Sequence, residues 1–214
     1  SEYLERAARL EGYDVVTYTT STWGPGQCTI ANFLTSASNV GILYIDSHGS
    51  DETIALEQYY KESTRDEAYA AYQAQNPPWF DTLAEGRCYS SWWKFEWSNH
   101  TISMTKNTLN FWSGAATIVQ LNGCHNFAFA DKFIERNARV VLGTEDTITP
   151  KEIQTFNAKF WPRMSGEIDN GTKRNVMDAF VYAKGWRYQM AGVGETVLAP
   201  AVASISPENG SVIY

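Results

Sequence analysis

Two short segments combine an apolar run with a residue that can carry acid–base or nucleophilic chemistry. In the segment LYIDSHGSDE, residues 43–52, the apolar run ends at His48 and Gly49, ahead of two acids. In the segment ATIVQLNGCHN, residues 116–126, it ends at Cys124. A histidine beside a cysteine can take the thiol proton, and the resulting thiolate attacks carbonyl carbon. The two segments therefore predict nucleophilic catalysis by cysteine, provided that they end side by side.

Each of these two residues has a glycine neighbour that fits the same chemistry. Gly49 allows its own backbone N–H to face a reacting carbonyl with no side chain in between, and Gly123 relieves the turn that precedes the thiol. The backbone N–H groups of Gly49 and Cys124 are therefore predicted to be the donors of an oxyanion hole.

The elements that must position these residues alternate along the chain. Apolar strands are predicted at 14–18, 40–46, 116–122 and 138–143, and helices at 26–38, 127–137, about 150–165 and 173–187. Such alternation indicates an α/β fold whose mainly parallel sheet has helices on both faces. Reacting groups of these sheets gather beyond the carboxyl ends of the strands, which is where His48 and Cys124 are found.

Helical spacing also predicts which residues face the core. The expected inward residues are Leu4, Ala7, Ala8 and Leu10 of an N-terminal helix, Ile30, Phe33, Leu34 and Ala37 of the next, and Val176, Ala179, Phe180 and Ala183 near the end.

Two parts of the chain differ in composition from this pattern. Residues 55–112 are rich in aromatic residues, and we interpret them as an insertion over the sheet that contains a hairpin turning at Ser98 and Asn99. Its Trp and Tyr residues at 79–97 favour a satellite core over a carbohydrate-binding platform. Residues 199–214 are rich in Pro, Ser and Val and indicate a linker or the start of a following β-sandwich module. The predicted domain is therefore 1–198.

Charge and hydropathy exclude several classes of partner. Lys and Arg number 17 against 24 Asp and Glu, which gives a formal charge of -7, and no basic run is present. The negative charge makes nucleic acid a poor candidate partner, and no phosphate-binding glycine motif occurs. No apolar stretch is long enough to span a bilayer, and the N-terminus lacks the pattern of a signal peptide.

The three cysteines leave one alternative open. Cys28 opens a predicted helix and Cys88 lies in the insertion, so both are expected on one face of the sheet. An extracellular setting would favour a disulfide between them, with Cys124 free, whereas two separate buried thiols are the alternative.

The segments YIDSHG and IVQLNGCHN together resemble the His-Gly and strand-then-Cys motifs of the caspase-like cysteine peptidases of clan CD. The segments ARVVLGTEDT, FNAKFWPRMSGEI and TKRNVMDAFVYAKG are similar to the post-nucleophile strand and closing helices of the gingipain and CHAT branches. The resemblance covers roughly residues 3–187. It implies a caspase-like three-layer sandwich and a cysteine endopeptidase, with His48 as general base and Cys124 as nucleophile. It implies a protein or peptide substrate and no metal or organic cofactor.

The chain departs from the family in two respects. LNGCHN is not the caspase Q-A-C signature, so specificity for aspartate is not implied. The family fold also has a central strand before its first helix, whereas this chain opens on that helix. We therefore expect either a separate N-terminal segment, released by processing, that completes the sheet, or a sheet that is built differently. We expect the protein to be secreted or on the cell surface.

Acidic residues follow the strands that carry the catalytic candidates. The predicted substrate-binding set is Asp46, Asp51, Glu52, Glu145 and Asp146. These charges would complement an Arg or Lys side chain before the scissile bond, and the gingipain-like and clostripain-like relatives imply the same preference. The alternative is that the last two of these acids cap the helix that begins near residue 150.

Other roles remain open for the same residues. A caspase-like module that binds without turnover and a thiol-dependent acyl hydrolase are the alternatives to a peptidase. His125 neighbours the nucleophile but would start the next helix, so a structural role is favoured, and His100 has no evident partner in the sequence.

Overall fold

A computed structural model describes residues 1–19, 26–37, 40–92, 95–114, 116–184, 187–198 and 211–213. Its helices are α1 Glu2–Leu10, α2 Ile30–Ser36, α3 Glu62–Gln75, α4 Ala130–Glu135, α5 Pro150–Met164 and α6 Val176–Ala183. Its strands are β1 Asp14–Val16, β2 Ile42–Asp46, β3 Thr53–Tyr59, β4 Leu83–Trp92, β5 Phe95–Thr105, β6 Ile118–Asn122, β7 Val140–Thr144, β8 Tyr188–Gly192 and β9 Ser211–Ile213. Short 3-10 turns lie at Phe80–Thr82, Thr108–Phe111 and Asn126–Phe129.

The main sheet has six strands in the order β1-β9-β2-β6-β7-β8. Every neighbouring pair is parallel except β7 and β8, which are antiparallel. The prediction of an α/β fold with a mainly parallel sheet is therefore confirmed. The antiparallel edge strand β8 was not anticipated from the sequence.

Helices and core side chains cover both faces of this sheet. Ile42 and Tyr44 of β2 pack into a core with α1, α5 and α6, whereas Leu43 and Ile45 pack into a second core with α2 and α4. A strand that is buried on both faces needs apolar residues at successive positions rather than alternate ones. This arrangement explains the continuous apolar runs and is compatible with three layers.

The predicted inward faces of three helices can be compared with their burial. All of the expected residues of α2 and its C-cap, of α6, and Leu4, Ala7 and Ala8 of α1 are buried, but Leu10 is 60% exposed. Leu10 follows Leu4 by six positions, about 240° around the helix at roughly 100° per residue, so it lies off the buried stripe. No helix among the described residues has the length and apolar character needed to cross a membrane.

The insertion forms a second, antiparallel sheet with the order β3-β5-β4, beside which α3 packs. Strands β4 and β5 form the predicted antiparallel hairpin, and their pairing extends to Trp92 opposite Phe95. Ser98 and Asn99 are inside β5, where Asn99 pairs with Cys88, so the predicted turn position is wrong. Ser and Asn are common in turns, but their backbone groups can also pair within an antiparallel strand. The pairing with β4 places these two residues inside the strand.

Aromatic side chains of the insertion pack under it and onto the main core. The ring centroids of Tyr72 and Trp79 are 5.0 Å apart and those of Tyr69 and Phe80 are 4.9 Å apart. Trp79 also packs against the core that contains α2. Of the Trp and Tyr side chains predicted to form a satellite core, the described one, Trp79, thus packs on the main core instead. The side chains at 89–98 lie outside the described part.

A short strand from the chain's own C-terminal part lies between β1 and β2. In β9, Val212 pairs with Val15 on one side and with Ile42 on the other, both in parallel. Strands β1 and β2 are therefore not joined directly, and the expected central position holds residues 211–213 of this chain. Residues 199–210 lie outside the described ones, so the boundary near 198 and a separate completing segment stay predictions.

Candidate active site

The register of two neighbouring strands brings His48 and Cys124 to the same edge of the sheet. β2 and β6 are parallel, with Asp46 opposite Asn122, and the ladder continues one step further because the Ser47 N–H donates to the Asn122 carbonyl at 3.0 Å. His48 and Cys124 each follow the last paired residue by two positions. Since adjacent strands lie about 4.8 Å apart, this equal offset places the imidazole and the thiol across one cleft.

A cavity of about 240 Å³ lies between the two half-buried side chains. The sequence indicated His48, Cys124, Gly123 and Asp46 at this place, and the structure adds Ser47, Gln58, Asn122, Ile148, Pro150 and Ile153 to the lining. Gln58 belongs to β3, so the aromatic-rich insertion supplies part of the wall. Nothing in the local sequence around Gln58 distinguishes it from other polar residues of a strand.

The protonation of His48 is set by burial and by one carboxylate. Burial lowers the pKa of His48 from its usual 6.5, and the negative charge of Asp46 partly offsets this. Burial raises the pKa of Asp46, and His48 opposes this shift when it carries a positive charge. The imidazole is therefore neutral at pH 7, which is the form that can accept a thiol proton.

The loop that carries Cys124 is held from the β7 side. The Thr144 hydroxyl donates to the Gly123 carbonyl, and the His125 N–H donates to the Asp146 carbonyl at 3.3 Å. His125 has a φ of 58°, a left-handed conformation that is uncommon for a residue with a side chain. The chain thus turns sharply directly after the nucleophile candidate, whose Sγ lies 4.0 Å from the Ile148 carbonyl oxygen.

The two backbone amides that the sequence indicates as oxyanion donors have no hydrogen-bond acceptor among the described residues. Gly49 forms an antiparallel bridge with Ile54, flanked by bonds from the Ala55 N–H to the His48 carbonyl and from the Ser50 N–H to the Thr53 carbonyl. In this pattern the Gly49 N–H points away from β3. Within the described residues, neither the Gly49 N–H nor the Cys124 N–H donates a hydrogen bond.

The five acids of the predicted substrate-binding set are distributed over several places. Asp46 lines the cavity with His48 and Cys124. Asp51 lies 3.6 Å from the His125 Nδ1, and Glu52 borders an open cleft with it. Glu145 accepts from the Gln189 amide at 2.7 Å, and Asp146 accepts from the next-residue N–H of Thr147. Only the first of the five lines the same cavity as the thiol.

The helix that begins at Pro150 has its own cap. Thr149 accepts from the Glu152 N–H at 3.3 Å while the Glu152 carboxylate accepts from the Thr149 N–H, which is a capping box. Glu145 and Asp146 are therefore not the residues that cap α5.

The other two cysteines are free thiols, as is Cys124, so the disulfide considered between Cys28 and Cys88 is not formed. Burial raises the pKa of Cys28, and it raises that of Cys88 to about 11. Cys28 lines a neighbouring cavity of about 380 Å³ that shares Asp46, Ser47 and Gln58 with the cleft of the thiol and imidazole. A raised pKa leaves less thiolate, so both thiols are poor nucleophiles at neutral pH.

Comparison with known proteins gives no information about the role of this site. No protein-family model matches the chain, and no curated protein matches it in sequence. Across the described residues, no group of three or more His, Cys, Asp or Glu side chains has a geometry that could hold a metal ion.

Proposed function

We propose that this chain is a cysteine endopeptidase of the caspase-like type, with His48 as general base and Cys124 as nucleophile. The observation that carries the proposal is the parallel register of β2 and β6, which brings the two residues to one cavity. The neutral state of His48 supports the same function, as do the amides of Gly49 and Cys124, which donate no hydrogen bond within the described part of the chain. The caspase-like assignment rests on the resemblance of the sequence motifs together with this strand-end geometry.

The mechanism uses residues of this chain alone. His48 accepts the proton of the Cys124 thiol, and the thiolate sulfur forms a bond to the scissile carbonyl carbon. The negative charge on the carbonyl oxygen is stabilised by the N–H groups of Gly49 and Cys124. His48 then gives its proton to the departing amine as the carbon–nitrogen bond breaks. Water, deprotonated by the same imidazole, hydrolyses the thioester and restores the thiol.

The substrate is a peptide with Arg or Lys before the scissile bond. Asp46 lines both the cleft of the thiol and the adjoining larger cavity, so its carboxylate can meet a long basic side chain that extends past Cys124. Tyr18 and Phe33 also line the larger cavity and could pack against the aliphatic part of such a side chain.

Replacement of the two dyad residues tests the proposal. We expect Cys124→Ala to abolish peptide cleavage and His48→Ala to reduce it nearly as far, with the double variant scarcely worse than either, because the two act as one unit. Cys28→Ala is the matched control and should retain cleavage. Circular dichroism verifies that each variant is folded. Unchanged cleavage by Cys124→Ala would contradict the proposal.

Two further measurements separate the proposal from its alternatives. Iodoacetamide should modify Cys124 faster than Cys28 or Cys88 in the folded protein, because the latter two have raised pKa values. Selective alkylation of Cys124 without any peptide cleavage would favour a binding module. Hydrolysis of thioesters or esters with no cleavage of amides would favour an acyl hydrolase.

A further inference from the structure

A buried asparagine lies beside the catalytic candidates, and its side chain has no hydrogen-bond partner among the residues that the structure describes. Asn126 is fully buried, and neither its Oδ1 nor its Nδ2 forms a hydrogen bond within the described residues. Buried side-chain amides are satisfied in the large majority of cases, so an exception requires an explanation. Asn126 follows Cys124 by two positions and begins the turn that continues into α4.

The amide of Asn126 lies between the two loops that end β2 and β6. A methyl group on Gly49 would overlap its Oδ1, and a methyl group on Gly123 would overlap its Nδ2. The Ser47 carbonyl oxygen lies against the same face of Gly123. One side chain thus contacts the loop that carries His48 and the loop that carries Cys124. This contact explains why both positions require glycine, which the sequence alone does not show.

We propose that Asn126 is a positioning residue for the oxyanion hole, an inference that rests on the proposed peptidase function. Its side-chain amide fixes the spacing between the Gly49 and Cys124 backbone N–H groups by filling the space between the two loops. Asn126 does not line the cavity, so it acts through these loops and does not contact the substrate.

A purely structural role predicts a different outcome for an apolar replacement. Leucine branches as asparagine does, but its two methyl groups are larger than the amide atoms, so Asn126→Leu should widen the space between the two loops. Because it also removes the two unsatisfied polar groups, the variant should be about as stable as the wild type. If Asn126 served only stability, activity would follow stability. If it positions the oxyanion donors, kcat falls while stability does not.

Kinetics of Asn126→Leu test this inference. We expect kcat for peptide cleavage to fall on the order of 100-fold with KM little changed, since small displacements of catalytic groups have effects of this size. The rate of Cys124 alkylation by iodoacetamide should stay at the wild-type value, because that reaction forms no oxyanion. Asn157→Leu is the control: Asn157 is also buried, but it bonds to Tyr44 and Gln120, so its loss should lower stability and leave kcat unchanged.

A stability cycle tests the contact itself. Gly49→Ala should be strongly destabilising alone and much less so together with Asn126→Ala, because the second change removes the overlap. Equal destabilisation in both backgrounds would overturn the inference, as would wild-type kcat in Asn126→Leu. If the wild-type protein cleaves peptides, either result rejects the positioning role alone. If it cleaves no peptide at all, the proposed function fails and the positioning role fails with it.

Discussion

The protonation state of His48 decides whether the thiol of Cys124 can be activated. Burial holds the pKa of His48 below 6.5, whereas in the unfolded chain the imidazole titrates near that value. As pH falls below 6.5, the unfolded state binds a proton that the folded state does not, so the His48 contribution lowers the free energy of unfolding. Asp46 has the opposite effect on stability. Its pKa is raised above 3.8 in the folded state, so as the pH falls the folded protein binds a proton before the unfolded chain does, and this contribution raises the free energy of unfolding.

We therefore expect the wild type to lose more stability than His48→Gln when the pH falls from about 7.5 to about 5.5. Urea unfolding of both proteins at several pH values measures this difference, and the comparison cancels the groups that the two proteins share. Parallel stability curves over that range would show that His48 is not held neutral by burial.

Asp46 is the residue on which the substrate preference depends. Asp46→Asn should reduce cleavage after Arg about tenfold or more relative to cleavage after Asn, since hydrogen bonds to charged groups contribute about 1.5 to 3 kcal/mol. Peptides with Arg, Lys, Asn and Asp before the scissile bond measure the ratio. Asp131→Asn on the exposed face of α4 removes the same charge as a control. A wild-type preference for Asp would contradict the expected specificity.

At the scale of secondary-structure elements, a buried carboxylate of the insertion forms hydrogen bonds that reach helix α2 of the main domain. Glu57 of β3 is fully buried and accepts hydrogen bonds from the Tyr59 hydroxyl at 2.5 Å, the Tyr72 hydroxyl at 2.6 Å and the Ile30 N–H at 2.8 Å. Burial and the nearby carboxylate raise the pKa of both tyrosines. Three elements, β3, α3 and α2, therefore meet at this side chain. The next residue of β3 is Gln58, which lines the cleft.

Loss of this carboxylate should be costly. Glu57→Leu leaves two hydroxyls and one N–H buried without an acceptor, so we expect the free energy of unfolding to fall by about 3 kcal/mol or more. Glu57→Gln retains an acceptor and should cost less. Glu67→Gln, on the exposed side of α3, is the control and should change stability by no more than about 0.5 kcal/mol. Chemical denaturation measures all three; a Glu57→Leu protein of wild-type stability would show that the cluster is not structural.

At the scale of the whole molecule, the main sheet depends on a three-residue strand. Among the described residues, β1 pairs with β9 alone, and β9 joins it to Ile42 and Leu43 of β2. Because β2 leads to His48, the strand at 211–213 completes the part of the sheet that supports the cleft. Unpaired backbone groups at a buried central position would be unfavourable.

Proline at the centre of β9 tests this arrangement. Val212→Pro removes a backbone donor from a central strand, where proline is not tolerated, so amide exchange should become faster at Val15 and Ile42 and stay slow at Val141 of β7. Val212→Thr keeps the β-branched shape and is the control. Unchanged protection of Val15 in Val212→Pro would mean that another segment fills the position, and mass spectrometry of the purified protein would then find a second polypeptide.

The sequence by itself determined the class of fold and the place where chemistry could occur. Continuous apolar runs predicted the buried strands β2 and β6, and their ends marked His48 and Cys124. These features are encoded within single segments, because strand periodicity and turn preferences depend on residues a few positions apart. The inward faces of the helices follow from the same local spacing. Leu10, which is exposed at the end of α1, shows that local spacing does not predict burial at every position.

Tertiary structure alone decided which distant segments meet. It placed β9 between β1 and β2, extended the pairing of β4 with β5 to Trp92 and Phe95, brought Gln58 to the cleft and packed Asn126 against two glycines. It also left Asp46 as the one predicted acid that lines the cavity of the thiol. Most of these contacts join residues tens of positions apart, and they depend on how whole elements pack, which no local pattern of residue types encodes.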